Sequence, residues 1–191
     1  METTFHGLEF LAAPGRVFTP RATTEALVDA ALAHIDARPL RIADVGTGSG
    51  AIGVSIAVAA PQVEVYATDI NADAVSLARE NAERHGVGDR VHVLEGDLLE
   101  PVPGQVDLVV ANLPYLPEGE RRPEYENEPP EAVYAPGDGL EPLRRMLHIC
   151  EAGKLAMPGF ALVQYRGDVH EADCRHLPEL REELALHAAA A

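Results

Sequence analysis

Strand-length apolar runs alternate with helix-length segments along most of this chain, and that alternation restricts the fold more than any other feature. Apolar runs occur at Arg41–Val45, Val63–Thr68, Arg90–Leu94, Val106–Ala111 and Phe160–Tyr165, while Gly50–Ala59, Ala72–His85 and Gly139–Glu151 read as helices. Asn71 and Asp73 provide a start signal for the second of these helices and Gly86 a stop. Strand followed by helix, repeated, predicts an α/β fold: a mostly parallel sheet with helices on both faces and right-handed crossovers. At 191 residues one hydrophobic core suffices. Residues 1–40 form an opening segment rich in turn residues and a helix over Pro20–Ile35, residues 41–186 the sheet-bearing domain, and residues 187–191 an alanine-rich flexible tail.

Ligands of such sheets sit beyond the carboxyl ends of the strands, so the residues following each strand carry the functional information. The first strand runs into Asp44-Val45-Gly46-Thr47-Gly48-Ser49-Gly50, with a helix directly behind it. Glycines permit close approach to the backbone, and the first helical turn offers free N–H groups. Gly46, Gly48 and Ala51 also satisfy the dinucleotide pattern G-x-G-x-x-A, and a tight turn without ligand uses the same residues, so the loop alone leaves the ligand open. Asp69 ends the second strand, where a carboxylate can accept from two ribose hydroxyls; Asn71 is better placed than Asp69 to cap the following helix. Asp97 follows the third strand and can accept from an adenine amine, although such an acid by itself is more often a turn residue than a ligand.

The fourth strand ends in Asn112-Leu113-Pro114-Tyr115. The Asn112 side chain and the next carbonyl can both accept hydrogen bonds from one planar NH₂ group while the Tyr115 ring packs on its plane. This arrangement suits an amide or an exocyclic amine; the alternative is an Asx-type turn before proline with the tyrosine in the core.

Charge narrows the partners. Asp plus Glu outnumber Lys plus Arg by 31 to 15, a formal charge of −16, so the molecule as a whole repels polyanions and nucleic acid is a disfavoured partner. The densest basic clusters are the pairs Arg121–Arg122 and Arg144–Arg145, the first inside a loop crowded with glutamates that reads as a charged, mobile lid. No apolar run reaches the ~20 residues of a membrane span. Two cysteines and an amino terminus without a signal-peptide pattern lead to an expected reducing, cytoplasmic setting. His170, Cys174 and His176 are the best metal-ligating group, but they share no clean helix face and lack a fourth ligand, so no metal is expected.

Taken together, Asp-Val-Gly-Thr-Gly-Ser-Gly-Ala-Ile at 44–52, Ala-Thr-Asp-Ile at 67–70, Asn-Ala at 81–82 and Asn-Leu-Pro-Tyr at 112–115 resemble the class I S-adenosylmethionine-dependent methyltransferases. More narrowly they resemble the HemK/PrmC family, which methylates the glutamine amide of the Gly-Gly-Gln motif in translation release factors. Phe18-Thr-Pro-Arg21 with Thr24-Glu25, Glu128-Pro129, and Gly137-Asp138-Gly139-Leu140 resemble further elements of that family, so the likeness runs through residues 5 to 165 in order. It implies S-adenosyl-L-methionine as cofactor and S-adenosyl-L-homocysteine as product. Gly46, Thr47, Gly48 and Gly50 would line the methionine end, Asp69 and Ile70 the ribose, and Asp97 with Leu98 the adenine. Asn112, at the methyl donor, would form the catalytic set with Pro114 and Tyr115, and these with Leu113 would bind the acceptor amide of a protein substrate, a release factor in that family. A nucleic-acid methyltransferase acting on an exocyclic amine, and a cofactor-binding relic without catalysis, are the competing readings.

Three departures accompany the likeness. Leu113 stands where the family has proline; it keeps the carbonyl and, before Pro114, is still pushed toward extended geometry. The family's helical amino-terminal domain has no counterpart in this sequence. Beyond the fifth strand the family continues with a helix and two strands, whereas Val169–Leu186 here reads as one helix. The fifth strand would then be a sheet edge, expected to pair in a homodimer or to be covered by a carboxy-terminal segment.

Overall fold

A computed structural model describes residues 1–189. Strands β1 (Glu2–Phe5) and β2 (Leu8–Leu11) form an antiparallel hairpin, followed by a 3₁₀ turn (Ala22–Thr24) and helix α1 (Glu25–Ala33). The alternating region follows as β3 (Arg41–Val45), α2 (Ala51–Ala59), β4 (Glu64–Asp69), α3 (Ala72–Arg84), β5 (Val91–Glu95) and β6 (Val106–Ala111). Two short parallel strands, β7 (Leu116–Pro117) and β8 (Tyr134–Ala135), bracket the acid-rich loop, and α4 (Glu141–Ile149), β9 (Leu155–Tyr165), β10 (Asp168–Asp173) and α5 (Leu177–Ala189) complete the chain. The main sheet has the order β10-β9-β6-β3-β4-β5, with every neighbouring pair parallel except β9 with β10. The chain moves outward from β3 through β4 to β5, then returns to the other side of β3 through β6 and β9. The reversal places a crevice between the carboxyl ends of β3 and β6, where ligands of such sheets bind.

Successive side chains of a strand point to opposite faces, and the two cores follow that rule. Ile42, Leu108, Val110 and Leu162 pack with α1, α2 and α3, whereas Ala43, Val109, Ala111, Ala161 and Val163 pack with α4 and α5. Helix α2 is buried at all but its carboxyl end, which matches its nearly uninterrupted apolar sequence. At ~2 kcal/mol per fully buried aliphatic side chain, these layers are the main favourable term holding the strand ends in register. Among the described residues no helix is long and apolar enough to cross a membrane.

Three expectations need correction. The helix read over Pro20–Ile35 begins only at Glu25, because residues 22–24 wind into a 3₁₀ turn. The helix read over Val169–Leu186 is instead strand β10 followed by α5. Arg166 and Gly167, both at positive φ (52° and 98°), make a tight turn that returns the chain antiparallel along β9. Val169 then packs into one core and Ala172 into the other, a strand alternation that their three-residue spacing disguises as a helical stripe. The outer side of the fifth parallel strand is therefore covered by the chain's own carboxy-terminal segment, which leaves that edge closed to pairing in a homodimer. Finally, α5 extends through Ala189, into the span read as a tail, and residues 190 and 191 lie outside the described residues.

Candidate active site

The loop after β3 is held from three sides. Gly46 and Thr47 both donate their backbone N–H to the Thr68 carbonyl at 2.9 Å, and Gly48 donates to Asp69 Oδ2 at 2.9 Å. From the third side, fully buried Asn81 donates to the Ser49 carbonyl (2.8 Å) and to Leu11 O (3.0 Å), and its Oδ1 accepts from Leu11 N (2.8 Å). The amino-terminal hairpin thus braces the loop, which accounts for the Asn-Ala element at 81–82. Gly46 sits at φ +70°, and a Cβ there would lie 2.7 Å from Leu113 Cδ2. The side chain that replaces the family's proline is therefore packed directly over the loop. Gly50 does not line the cavity; it caps α2 and lies against Ala78 on α3.

Asp44 is a functional candidate that the strand pattern concealed. It is fully buried, and its Oδ2 accepts from the Thr47 hydroxyl (2.6 Å) and from Gly53 N–H (2.9 Å), tying the two ends of the loop together. Burial pushes its carboxyl up to about 6 against the pull of those two donors. The signal was present as an acid inside the apolar run Ile-Ala-Asp-Val. Asp69 accepts Gly48 N–H on one oxygen and Asn71 N–H (2.9 Å) on the other, and burial raises its pKa against these donors. Asn71 caps α3 by accepting from Asp73 N–H, so Asp69 is not occupied as the cap. Asp97 lines the same cavity but forms an ion pair with Arg145 on α4, and Leu98 beside it adopts positive φ (48°). Ile70 lines the rim and is largely exposed.

Across the crevice, Asn112 follows β6. Its Nδ2 donates to the Thr24 hydroxyl at 3.2 Å, which turns its carbonyl oxygen away from the amino-terminal segment. Gly139, at φ +87°, lies so near the Asn-Leu-Pro-Tyr backbone that a Cβ would meet Tyr115 O at 2.2 Å, which explains the glycine of Gly-Asp-Gly-Leu. Asp138 in that element caps Leu140 N–H (3.1 Å) and pairs with Arg144. The Tyr115 ring packs edge-on against Tyr165 with centroids 5.3 Å apart. Burial lifts its phenol to about 12, so it remains protonated and is unsuited to act as a general base at neutral pH.

The acid-rich loop roofs the crevice and is tied down. Glu128 accepts from Thr19 N–H (3.0 Å) and from Arg21 (3.2 Å), while Arg21 lies over the Phe18 and Tyr125 rings at 5.3 and 4.5 Å. Glu120 pairs with Arg122 and, at 2.9 Å, with Arg166, so one of the two arginines read as part of a mobile lid is ion-paired, while the other, Arg121, lies over the Tyr134 ring at 5.0 Å. Beneath the roof lies a cavity of about 950 Å³, lined by Gly46, Thr47, Gly48, Asp69, Ile70, Asp97, Leu98, Asn112, Leu113 and Pro114 among others. That volume is near the upper end for a small-molecule site. Tyr115 lies instead on a smaller adjoining chamber. His170 and His176 bond to different carboxylates, Glu183 and Asp173, and among the described residues no group of three or more metal-ligating side chains gathers.

Comparison with known proteins agrees with this geometry. A family model described as methyltransferase small domain matches residues 11–126. Curated relatives include the release factor glutamine methyltransferase of Deinococcus radiodurans, 40% identical over 178 residues, covering 91% of this chain and 60% of that protein. Its Escherichia coli K12 counterpart is 34% identical over 167 residues, covering 84% and 58%. The chain thus spans little more than half the length of these curated relatives. Among solved structures, the ribosomal protein L11 methylase of Lactobacillus delbrueckii subsp. bulgaricus superposes with a TM-score of 0.59 at 25% identity, over 90% of this chain and 71% of that one. A 16S rRNA N2 G1207 methyltransferase from T. thermophilus reaches 0.65 at 16% identity, over 95% and 44%, a likeness of fold. The chain, with its glycine-lined crevice on a mostly parallel sheet, belongs to the methyltransferase small domain family.

Proposed function

We propose that this chain is an S-adenosyl-L-methionine-dependent N-methyltransferase whose acceptor is a protein glutamine side-chain amide, of the Gly-Gly-Gln type found in release factors. The observation that carries the reading is the juxtaposition of Asn112, fixed by Thr24, with the cavity lined by Gly46, Thr47, Gly48 and Asp69. The residues present fit the cofactor: the Asp69 carboxylate, held by the backbone N–H groups of Gly48 and Asn71, lines the cavity and retains acceptor capacity for a ribose diol, beside the backbone of Gly46, Thr47 and Gly48. When bound, the cofactor supplies an electrophilic methyl group on a sulfonium.

The protein's part is to position the nucleophile. An amide nitrogen is a poor nucleophile because its lone pair is delocalised into the carbonyl. Asn112 Oδ1 and the Leu113 carbonyl, accepting from the two N–H groups, hold that nitrogen toward the cavity and stabilise positive charge as it develops. Positioning of this kind supplies several kcal/mol of a barrier without a strong base. Relatives named release factor glutamine methyltransferase support the acceptor class, and the charge of −16 supports a protein over a polyanion.

The test is transfer of an isotopically labelled methyl group from S-adenosyl-L-methionine to a Gly-Gly-Gln peptide and to an intact release factor, beside ribosomal RNA and duplex DNA. Labelling of the glutamine side chain with none on nucleic acid is expected. Labelling confined to nucleic acid would replace this reading with the exocyclic-amine one, and cofactor binding without transfer to any of the four would indicate a relic.

A further inference from the structure

From β6 across to β5 the strand ends carry, in turn, Asn112, the glycine loop, Asp69 and finally Gly96-Asp97-Leu98. A ligand with its methyl group at Asn112 and its ribose at Asp69 therefore carries its base to the end of β5. Gly96 N–H donates to the Asp69 carbonyl at 2.9 Å, which ties this last loop to the ribose end, and Gly96, Asp97 and Leu98 all line the cavity.

The two acids along this path are held differently. Asp69 takes a backbone N–H on each oxygen, whereas the Asp97 carboxylate has a single hydrogen-bond partner among the described residues, Arg145 Nη2 on Oδ2. Arg145 reaches it from α4, 48 residues along the chain. Pro142, three positions earlier on that helix, lines the cavity with Arg145, so one face of α4 presents an apolar ring and a cation to the base end. Asp97 and Arg145 are both partly exposed, which leaves the carboxylate accessible from the cavity it lines. The other charges acting on Arg145 are Glu141 and Glu100. With Oδ2 engaged, Oδ1 is the uncommitted acceptor.

A 6-aminopurine offers that acceptor an N–H, whereas a 6-oxopurine sets a second acceptor against it. We propose that Arg145 is a positioning residue: by holding Asp97 Oδ2 it directs Oδ1 at the 6-amino group of the cofactor's base, so that the pair selects a 6-aminopurine over a 6-oxopurine. This rests on the cofactor reading above and extends it to a residue of α4 outside the strand-end motifs. A reversal follows from the same chemistry. Without the Asp97 carboxylate, the guanidinium, which only donates, stands unpaired at the base end and suits a 6-oxo group.

The test is calorimetric binding of S-adenosyl-L-homocysteine and its 6-oxo counterpart, S-inosyl-L-homocysteine, to the full chain. Parent, Arg145→Met, Arg145→Lys and Asp97→Ala are compared, with melting temperature measured alongside. The parent is expected to prefer the adenine compound. In Arg145→Met that preference should fall about fivefold, the upper worth of an ion pair near the surface, while Arg145→Lys keeps it within about twofold of the parent's. Asp97→Ala should reverse it. The inference would be overturned by a preference in folded Arg145→Met equal to the parent's, including the case in which both ligands weaken equally, which would make Arg145 a strut of α4. An equal fall in the Lys and Met variants, or an Asp97→Ala variant that keeps the parent's preference, would overturn it as well. A parent that binds both compounds equally would overturn this inference alone, and a parent that binds neither would overturn the cofactor reading with it.

Discussion

Removal of the Asp69 carboxylate tests the cofactor half of the site quantitatively. Its Oδ2 accepts from Gly48 N–H and its Oδ1 from Asn71 N–H, and the carboxylate lines the cavity with acceptor capacity to spare. Two ribose hydroxyls donating to an ionised carboxylate contribute about 1.5–3 kcal/mol each in isolation, less when they share one anion. Asp69→Ala is therefore expected to weaken S-adenosyl-L-homocysteine binding by about 2–4 kcal/mol, roughly 30- to 1000-fold in Kd. Asp69→Asn keeps one carbonyl oxygen but turns an NH₂ toward one of the two backbone donors, and its loss should reach at least half that of alanine. Because burial raises the Asp69 pKa and the ribose favours the ionised form, affinity is present above the folded pKa and declines as pH falls through it, starting above the ordinary carboxylate range. Isothermal titration across pH on parent and both variants reads all of this. A change below threefold in Asp69→Ala would refute the ribose contact and with it the assignment of this end of the crevice.

Other consequences concern the supports of the site. Asp44, with a folded pKa of about 6 above an unfolded value near 3.8, contributes stability that is fully present below the unfolded pKa and is lost as pH rises through about 6. Between pH 5 and 7.5 this amounts to about 1–2 kcal/mol, so the stability of Asp44→Asn relative to parent in urea unfolding should improve by that amount over the range; a constant difference would mean that Asp44 does not titrate there. Gly46→Ala forces a side chain into Leu113 at positive φ and is expected to lower the melting temperature by several degrees and abolish measurable cofactor binding, with Leu113→Ala relieving only the steric part. Thr24→Val removes the acceptor that fixes the Asn112 amide. It should lower kcat about tenfold at unchanged cofactor affinity, with Thr24→Ser restoring the parent rate, as steady-state kinetics would report.

The alternating half of the fold was legible because β3, β4 and β6 carry short apolar stretches of strand length and each ends at residues that favour a turn or a helix start, Gly46 to Gly50, Asp69 to Asn71 and Asn112 to Pro114. Two hairpins, β1–β2 and β9–β10, were not legible in the sequence, and each depends on a two-residue turn. His6–Gly7 and Arg166–Gly167 take positive φ at both positions, a hairpin geometry that glycine signals but that His and Arg obscure. In the site, the groups facing the crevice were readable from their motifs, and Arg21, Thr24 and Glu128 from the likeness to the family, but the pairings behind the crevice were not, and Gln164 carried no signal. Thr24 reaches Asn112 across 88 residues, Gln164 reaches Thr23 across 141, and Arg21 meets Glu128 across 107. Local periodicity carries no information about such pairings, which are set by strand order and by how the amino-terminal segment folds over the sheet.

In the proposed reaction Asn112 holds an amide nitrogen against the methyl donor. Mass spectrometry of a Gly-Gly-Gln peptide, after incubation with S-adenosyl-L-methionine and either the parent chain or Asn112→Ala, reads that role, with cofactor affinity measured for both. One methyl group on the glutamine side-chain nitrogen is expected with the parent, a rate at least about 100-fold lower with the variant, and cofactor affinities within threefold of each other. Equal methylation by parent and variant, or a methyl group elsewhere on the peptide, would contradict it.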